Sequence, residues 1–340
     1  MIKCFCNRIQ KQSIKKVGMK NYSSVDLFKF FAAFLVVCIH TRPFYQNADA
    51  DYFYTCFCRI AVPFFFCFSS FIFFKKNVSI STYVKRMLVL YFAWFLIELP
   101  FIYLRFFYNQ PFTIASLKFT RGLLIHNTFY ASWYITASWQ AMLIVWYLSK
   151  KSSVLLYTIG LLFFLMTLLD SMYSGILTNY KYGCNIQVLL KLISASNSFI
   201  VAVPYCIMGR FLALNTIVWN KKIITIGLIC LFIIAFFETS FCRHLYREND
   251  SYISLLFITF FLMVYLINYN YDVPHTITIY CRKSSILIYL LHYIILFMLK
   301  TFYDLDFGFE MFIMCLVVSM IIAYTIISYS ERYPILKKFM

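Results

Sequence analysis

The chain reads as an all-α polytopic bundle of about ten transmembrane helices, with both termini cytoplasmic. Three observations predict this. Its 340 residues are 62% apolar and 13% charged, with mean hydropathy +0.76, whereas a soluble globule is about half apolar and about a quarter charged. Apolar runs near the ~20 residues needed to cross a bilayer recur along the whole length. The formal charge of +18 is spread over short Lys/Arg clusters between those runs, as in cytoplasmic loops, which argues against a nucleic-acid partner.

Residues 1–22 form a basic arm carrying Lys3, Arg8, Lys11, Lys15, Lys16 and Lys20. It has no cleavage site after a short apolar core. It is expected to be cytoplasmic and dispensable, with Met19 an alternative start, ahead of a membrane domain over 23–340. The first span is expected over 26–44, with an early break at Arg42-Pro43. The second covers 56–74 and ends on Lys75-Lys76; the third covers 87–107 after Lys85-Arg86. The fourth covers 131–149 and closes on Lys150-Lys151, and the fifth covers 153–170. Residues 171–198 are mixed enough to hide a re-entrant segment before a sixth span within 192–214. The seventh and eighth cover 223–241 and 251–269. Arg282-Lys283 precede the ninth, 285–300, and the tenth covers 309–328.

With the N-terminus inside, the inner segments hold 20 Lys and Arg and the outer ones ten, Lys29 set aside. That bias sets the expected orientation. The 12 cysteines are scattered, lack zinc-ligand spacing and read as small apolar fillers. No metal site is expected.

The first span is the informative one. Asp26, Lys29 and His40 lie in the run DLFKFFAAFLVVCIH, and ionisable residues at membrane depth mark functional sites by default. Lys29 and His40 are eleven positions apart, about three turns, so they share a face with ~16 Å between them. Each also has a plain structural reading. Asp26 and Lys29 stand at i, i+3 and can pair with each other; His40 can hydrogen-bond a carbonyl at the interface. Ser69 reads as a packing residue, Trp133 and Tyr134 as an aromatic belt, and His292 as a structural donor. Glu98 precedes Leu99-Pro100 and reads as a kink residue facing inward; Glu238 reads as a solvated group near a helix end.

The stretch from Asp26 to His40, a basic residue followed after ten positions by a His, resembles the opening of the integral-membrane acyltransferase 3 family. In order along the chain, VPFFFCFSSF (62–71), KRMLVLYFAW (85–94), Ser132-Trp133-Tyr134, PYCIMGR (204–210) and SSILIYLLH (284–292) resemble its further motifs. Three positions depart from that pattern. Lys29 stands where the family usually has Arg, and an ammonium does not replace a bidentate guanidinium. Ser70 stands for the usual Gly, and Tyr83 for the first of two Arg spaced three apart.

The resemblance implies transfer of an acyl group, commonly acetyl, from a cytosolic acyl-CoA to a hydroxyl of a surface glycan or lipid-linked sugar. The setting would be the bacterial inner membrane. It makes His40 the central catalytic residue, as general base or as transient acyl carrier, with Lys29 orienting it or holding the donor. Lys85 and Arg86 become the cations for the coenzyme A phosphates, and Ser69, Trp133 and Tyr134 become pocket residues. Because His40 sits toward the outer end and the donor is inside, a polar cavity through the bundle is expected. The competing reading is a polytopic carrier for a sugar or lipid-linked intermediate, although neither paired half-repeats nor Gly/Pro-broken helices are evident. A non-catalytic scaffold is the third class. The sequence carries no P-loop and no H-x-x-x-D pair, and it leaves oligomeric state open.

Overall fold

A computed structural model describes residues 22–124, 128–178, 180–243 and 250–340. The basic arm, His126 and Glu248 therefore lie outside the described residues, apart from Tyr22. Among these residues the regular structure is all helical, with no strand. The helices are α1 (Ser23–Thr41), α2 (Ala48–Cys58), α3 (Ala61–Lys75), α4 (Ile80–Phe106), α5 (Phe112–Leu124), α6 (Trp133–Lys151) and α7 (Ser153–Asp170). They continue as α8 (Ser174–Thr178), α9 (Gly183–Leu192), α10 (Phe199–Leu214), α11 (Lys221–Arg243), α12 (Ile253–Asn268), α13 (His275–Tyr303) and α14 (Phe309–Tyr329). Short 3-10 turns cover Ala195–Asn197 and Pro334–Phe339.

All ten expected spans are helical. Seven helical stretches are long and apolar enough to cross a membrane, one of them the joined pair Ala48–Lys75. An eighth is made by Gly183–Asn197 with Phe199–Leu214, bent by 49°. That bend lies where the sequence was too mixed to read as one span. Ser198 caps the entry to α10 by accepting from Ile200 N at 3.3 Å. The other two segments are also helices, α6 more polar and α12 only 16 residues long.

Several boundaries differ from expectation, each for a local reason. The first span stops at Thr41 because Arg42 takes a left-handed conformation (φ 48°) and Pro43 cannot continue the ladder. That strained residue is held by Asp51, which accepts from Arg42 Nε at 3.0 Å and from Nη2. The third span begins at Ile80, where the Ser79 hydroxyl accepts from Thr82 N at 3.3 Å. Consequently Lys85 and Arg86 sit inside a helix rather than ahead of one, as do Arg282 and Lys283 in α13. Eight of the ten described cysteines are buried.

Basic helix ends collect at one end of the bundle. There Ser24 receives from Tyr271 N and donates to the Tyr269 carbonyl, and Lys75 reaches the Ala213 carbonyl. At the opposite end the cations are matched by carboxylates: Arg42 with Asp51, Arg59 with Asp250, and Arg243 with Asp49. Glu238, expected to be merely solvated, instead accepts from Ile253 N, Ser254 N and the Ser254 hydroxyl. It thereby satisfies the orphan donors that open α12.

α3 and α10 approach closely. Gly209 sits so near α3 that a Cβ there would fall 2.1 Å from the Cys67 carbonyl oxygen. Ser70, the family departure, is fully buried and donates to the Cys206 carbonyl at 2.6 Å, so its hydroxyl joins these helices. Gly209→Ala is expected to destabilise by about 3 kcal/mol, since rigid backbone must yield. Gly160→Ala meets only the far end of Ile207 and should cost less than about 1 kcal/mol. Thermal unfolding in detergent compares the two; equal shifts would remove the close-approach account.

Candidate functional site

Two polar clusters sit along the pair α1 and α13, which run parallel. At the basic end Asp26 is 2% exposed. It accepts two bonds from Arg282 Nε at 3.1 Å, a third from Arg282 Nη2, and one from Lys29 Nζ at 3.5 Å. Lys29 also lies over the Phe68 ring, 4.1 Å from its centroid, and Arg86 is within electrostatic reach. The i, i+3 pairing foreseen from sequence is therefore present, and α13 adds a second cation that the sequence did not place there. Two cations, Lys29 and Arg282, meet one carboxylate.

At the other end His40 is half-buried against α13 rather than turned to lipid. Its Nδ1 lies 2.8 Å from the Tyr293 hydroxyl. Its ring is stacked on His292, with centroids 5.3 Å apart. His292 is 1% exposed, and its Nδ1 meets the Tyr289 carbonyl at 2.5 Å. A carbonyl only accepts, so Nδ1 carries the proton and Nε2 is left bare. That nitrogen is buried and makes no hydrogen bond among the described residues. Behind Tyr293 lies Tyr130, ring on ring at 4.8 Å, and behind Tyr130 the Arg105 guanidinium at 4.3 Å. Reading by sequence missed Tyr293 and Arg105. The available signal was Tyr293 following a candidate His, and Arg105 within an apolar run.

The remaining predicted site residues are distributed between these ends. Ser69 shares a hydrogen bond of 3.0 Å with Tyr83, the residue standing where the family commonly has Arg. Tyr134 packs centrally, its ring 4.8 Å from Phe66 and 5.3 Å from Tyr289, while Trp133 meets Phe66 edge-on at 6.0 Å. Lys85 and Arg86 diverge. Arg86 is exposed but within electrostatic reach of Lys29, whereas Lys85 lines a groove against the C-terminal 3-10 turn. Lys29 has no contact with the imidazole; the group that touches His40 Nδ1 is Tyr293. Glu98 is fully buried with neither carboxyl oxygen hydrogen-bonded among the described residues, yet α4 runs on through Pro100 to Phe106.

The expected polar cavity takes a different form. Two cavities, of about 670 and 140 Å³, lie toward the basic end, and neither is lined by His40. Tyr289, between Arg282 and His292 along α13, meets the rings of Phe65 and Tyr134, and Tyr134 in turn meets Phe66. No group of three or more metal-ligating side chains occurs among the described residues.

A family profile described as an acyltransferase domain matches residues 22–328. The chain belongs to the acyltransferase 3 family. It is a multi-pass membrane member of that family, and the profile spans α1 through nearly all of α14. Two proteins of Enterococcus faecalis named amino-acid racemase are similar to it. One is 26% identical over 252 residues, 70% of this chain and 34% of that protein. The other is 30% identical over 128 residues, 34% of this chain and 18% of its own length. The chain thus spans about a third or less of these relatives, and the racemase name assigns nothing to the shared segment. No solved structure matches the chain.

Asp26 is the common acceptor for two cations, so removing it leaves both uncompensated. Asp26→Ala is expected to cost about 3 kcal/mol, discounted from the upper range because Arg282 is half exposed. Arg282→Ala leaves Lys29 as partner and should cost less than about 1 kcal/mol. Thermal unfolding of the two variants checks this ordering; the reverse order would show that Asp26 is not the hub.

Proposed function

We propose that the protein transfers an acyl group, most simply acetyl, from a cytosolic acyl-CoA to a hydroxyl of a glycan or lipid-linked sugar. The basic end would face the cytosol of a bacterial inner membrane. The observation that carries this reading is the imidazole of His40, held against α13 by the Tyr293 hydroxyl at 2.8 Å. With Nδ1–H donating to the phenol oxygen, Nε2 bears the lone pair and the ring is fixed in one orientation, as a general base requires. The acceptor hydroxyl gives its proton to Nε2 as its oxygen attacks the thioester carbonyl carbon. The carbon–sulfur bond then breaks, and the imidazolium returns the proton to the departing thiolate. In the alternative order the imidazole attacks first and carries the acyl group to the hydroxyl.

The ~16 Å between Lys29 and His40 along α1 suits this donor. Coenzyme A separates its phosphates from its thioester by a long flexible arm, so cations and base need not be neighbours. Arg86 and Lys29 are the cations for the phosphates, and Tyr293 is a positioning residue for His40. The aromatic layer around Tyr134 and Tyr289 lies across the route and has to part as the arm enters. A carrier, by contrast, would need no acyl-CoA at all.

In detergent-purified protein, acetyl-CoA turnover with a soluble sugar acceptor is expected to fall at least about 100-fold in His40→Ala. Tyr293→Phe should lower kcat by about tenfold with KM for acetyl-CoA unchanged. Arg86→Ala should raise that KM and leave kcat near wild type. Wild-type turnover by His40→Ala would remove the assignment, and absence of any acetyl-CoA turnover would favour the carrier.

A further inference from the structure

The larger cavity, about 670 Å³, is a groove on the outer side of α4, closed on its other flank by the C-terminal 3-10 turn Pro334–Phe339. Its walls are Val84, Leu88, Val89, Phe92, Leu96 and Phe339, and its polar lining is confined to Ser81, Lys85 and Lys338. The turn is pinned in place by Trp94, whose Nε1 donates to the Phe339 carbonyl at 3.2 Å and whose ring meets Phe339 edge-on. The groove is thus a built feature of two elements rather than a gap between side chains. Phe92 and Leu96 are more than half exposed, which on a membrane helix means contact with acyl chains.

Charge is arranged along this groove in one direction. Lys85 sits near the start of α4, at the basic end, and the walls deeper along the helix are entirely apolar as far as Leu96. Those eleven residues span ~16 Å, close to half of the ~30 Å hydrocarbon core, the depth of one leaflet. The nearby carboxylate, Glu331, is already taken by Lys283 and Lys337. Neither Lys85 nor Lys338 has an ion-pair partner among the described residues.

We propose that this groove binds an anionic phospholipid. One acyl chain lies along Leu88, Phe92 and Leu96, and the phosphate meets the ammonium groups of Lys85 and Lys338. A zwitterionic lipid fits the same trough but brings a cation to the two lysines. The occupant is therefore set by headgroup charge, each lysine contributing a factor of about five.

The test uses the full chain purified in detergent, with dioleoyl-phosphatidylglycerol and dioleoyl-phosphatidylcholine as probes and bound lipid counted by native mass spectrometry. Wild-type protein is expected to retain one phosphatidylglycerol with a preference of about thirtyfold over phosphatidylcholine. Lys85→Ala/Lys338→Ala should bring the two lipids within about twofold of each other. Lys150→Ala/Lys151→Ala, the same loss of charge elsewhere at the basic end, should leave the preference intact. Ala93→Trp, filling the trough, should lower retention of both lipids. Thermal unfolding of each variant confirms that it is folded, and either the lysine pair or Ala93→Trp suffices as a test. Equal retention of the two lipids by wild type, or equal loss of preference in the Lys150/Lys151 control, would overturn the proposal. So would displacement of the lipid by acetyl-CoA, which would make the groove a donor site.

Discussion

The constraint on which the bundle depends is the burial of Asp26. An ionised carboxylate buried in a membrane protein is costly unless it is matched, and for Asp26 the match comes from two directions, Lys29 on its own helix and Arg282 on α13. The second pairing ties α1 to α13 at a fixed register. Fourteen residues further along α1, the same register delivers His40 to Tyr293 and His292. Where α1 ends, the Thr41 carbonyl accepts from Gly308 N at 3.0 Å, joining it to the turn between α13 and α14. A slip of one helical turn would break all three contacts together. The ion pair at one end therefore decides the geometry of the imidazole at the other.

Much of this was legible in the sequence, for a physical reason. Charge at membrane depth is rare because it is costly, so Asp26, Lys29 and His40 stand out from an apolar background without any structure. All ten helices could likewise be placed from apolar runs. Their ends could not, because they are set by single residues that hydropathy does not weigh, such as Pro43, Ser79 and Ser198. Tyr293 was invisible for the opposite reason. It is one of 28 tyrosines, and only the packing of α13 on α1 separates it from the others. Glu238 was misread because a carboxylate near a helix end can be solvated or can cap the next helix. Which of these holds depends on where α12 begins.

Lys85 and Arg86 show the limit most directly. Adjacent in sequence, they read as one basic pair for one ligand. On a helix, neighbours diverge by about 100°, and α4 continues through both of them. Arg86 stays within electrostatic reach of Lys29, and Lys85 joins Lys338 at an apolar groove. A cluster that is local in sequence thus divides between two surfaces as soon as the helix begins seven residues earlier than hydropathy suggests.

If the proposed acyl transfer takes place between the two clusters, the ring contacts of Phe66, Tyr134 and Tyr289 would gate it. An open aqueous channel from Lys29 to His40 would let water compete with a sugar hydroxyl for the thioester, and hydrolysis would waste the donor. A layer of packed rings avoids this. Phe66, Tyr134 and Tyr289, in ring contact, would serve as such a layer. They have few rotatable bonds, so they move as plates rather than as flexible chains. Under the proposed reaction, a donor arm that displaced them would occupy the space they vacate, and the barrier to water would be kept. On this argument the aromatic layer and the cations at the basic end act in sequence: anchoring of the phosphates supplies the binding energy that opens the rings. An acyl donor lacking those phosphates would reach His40 poorly even though the imidazole never touches them.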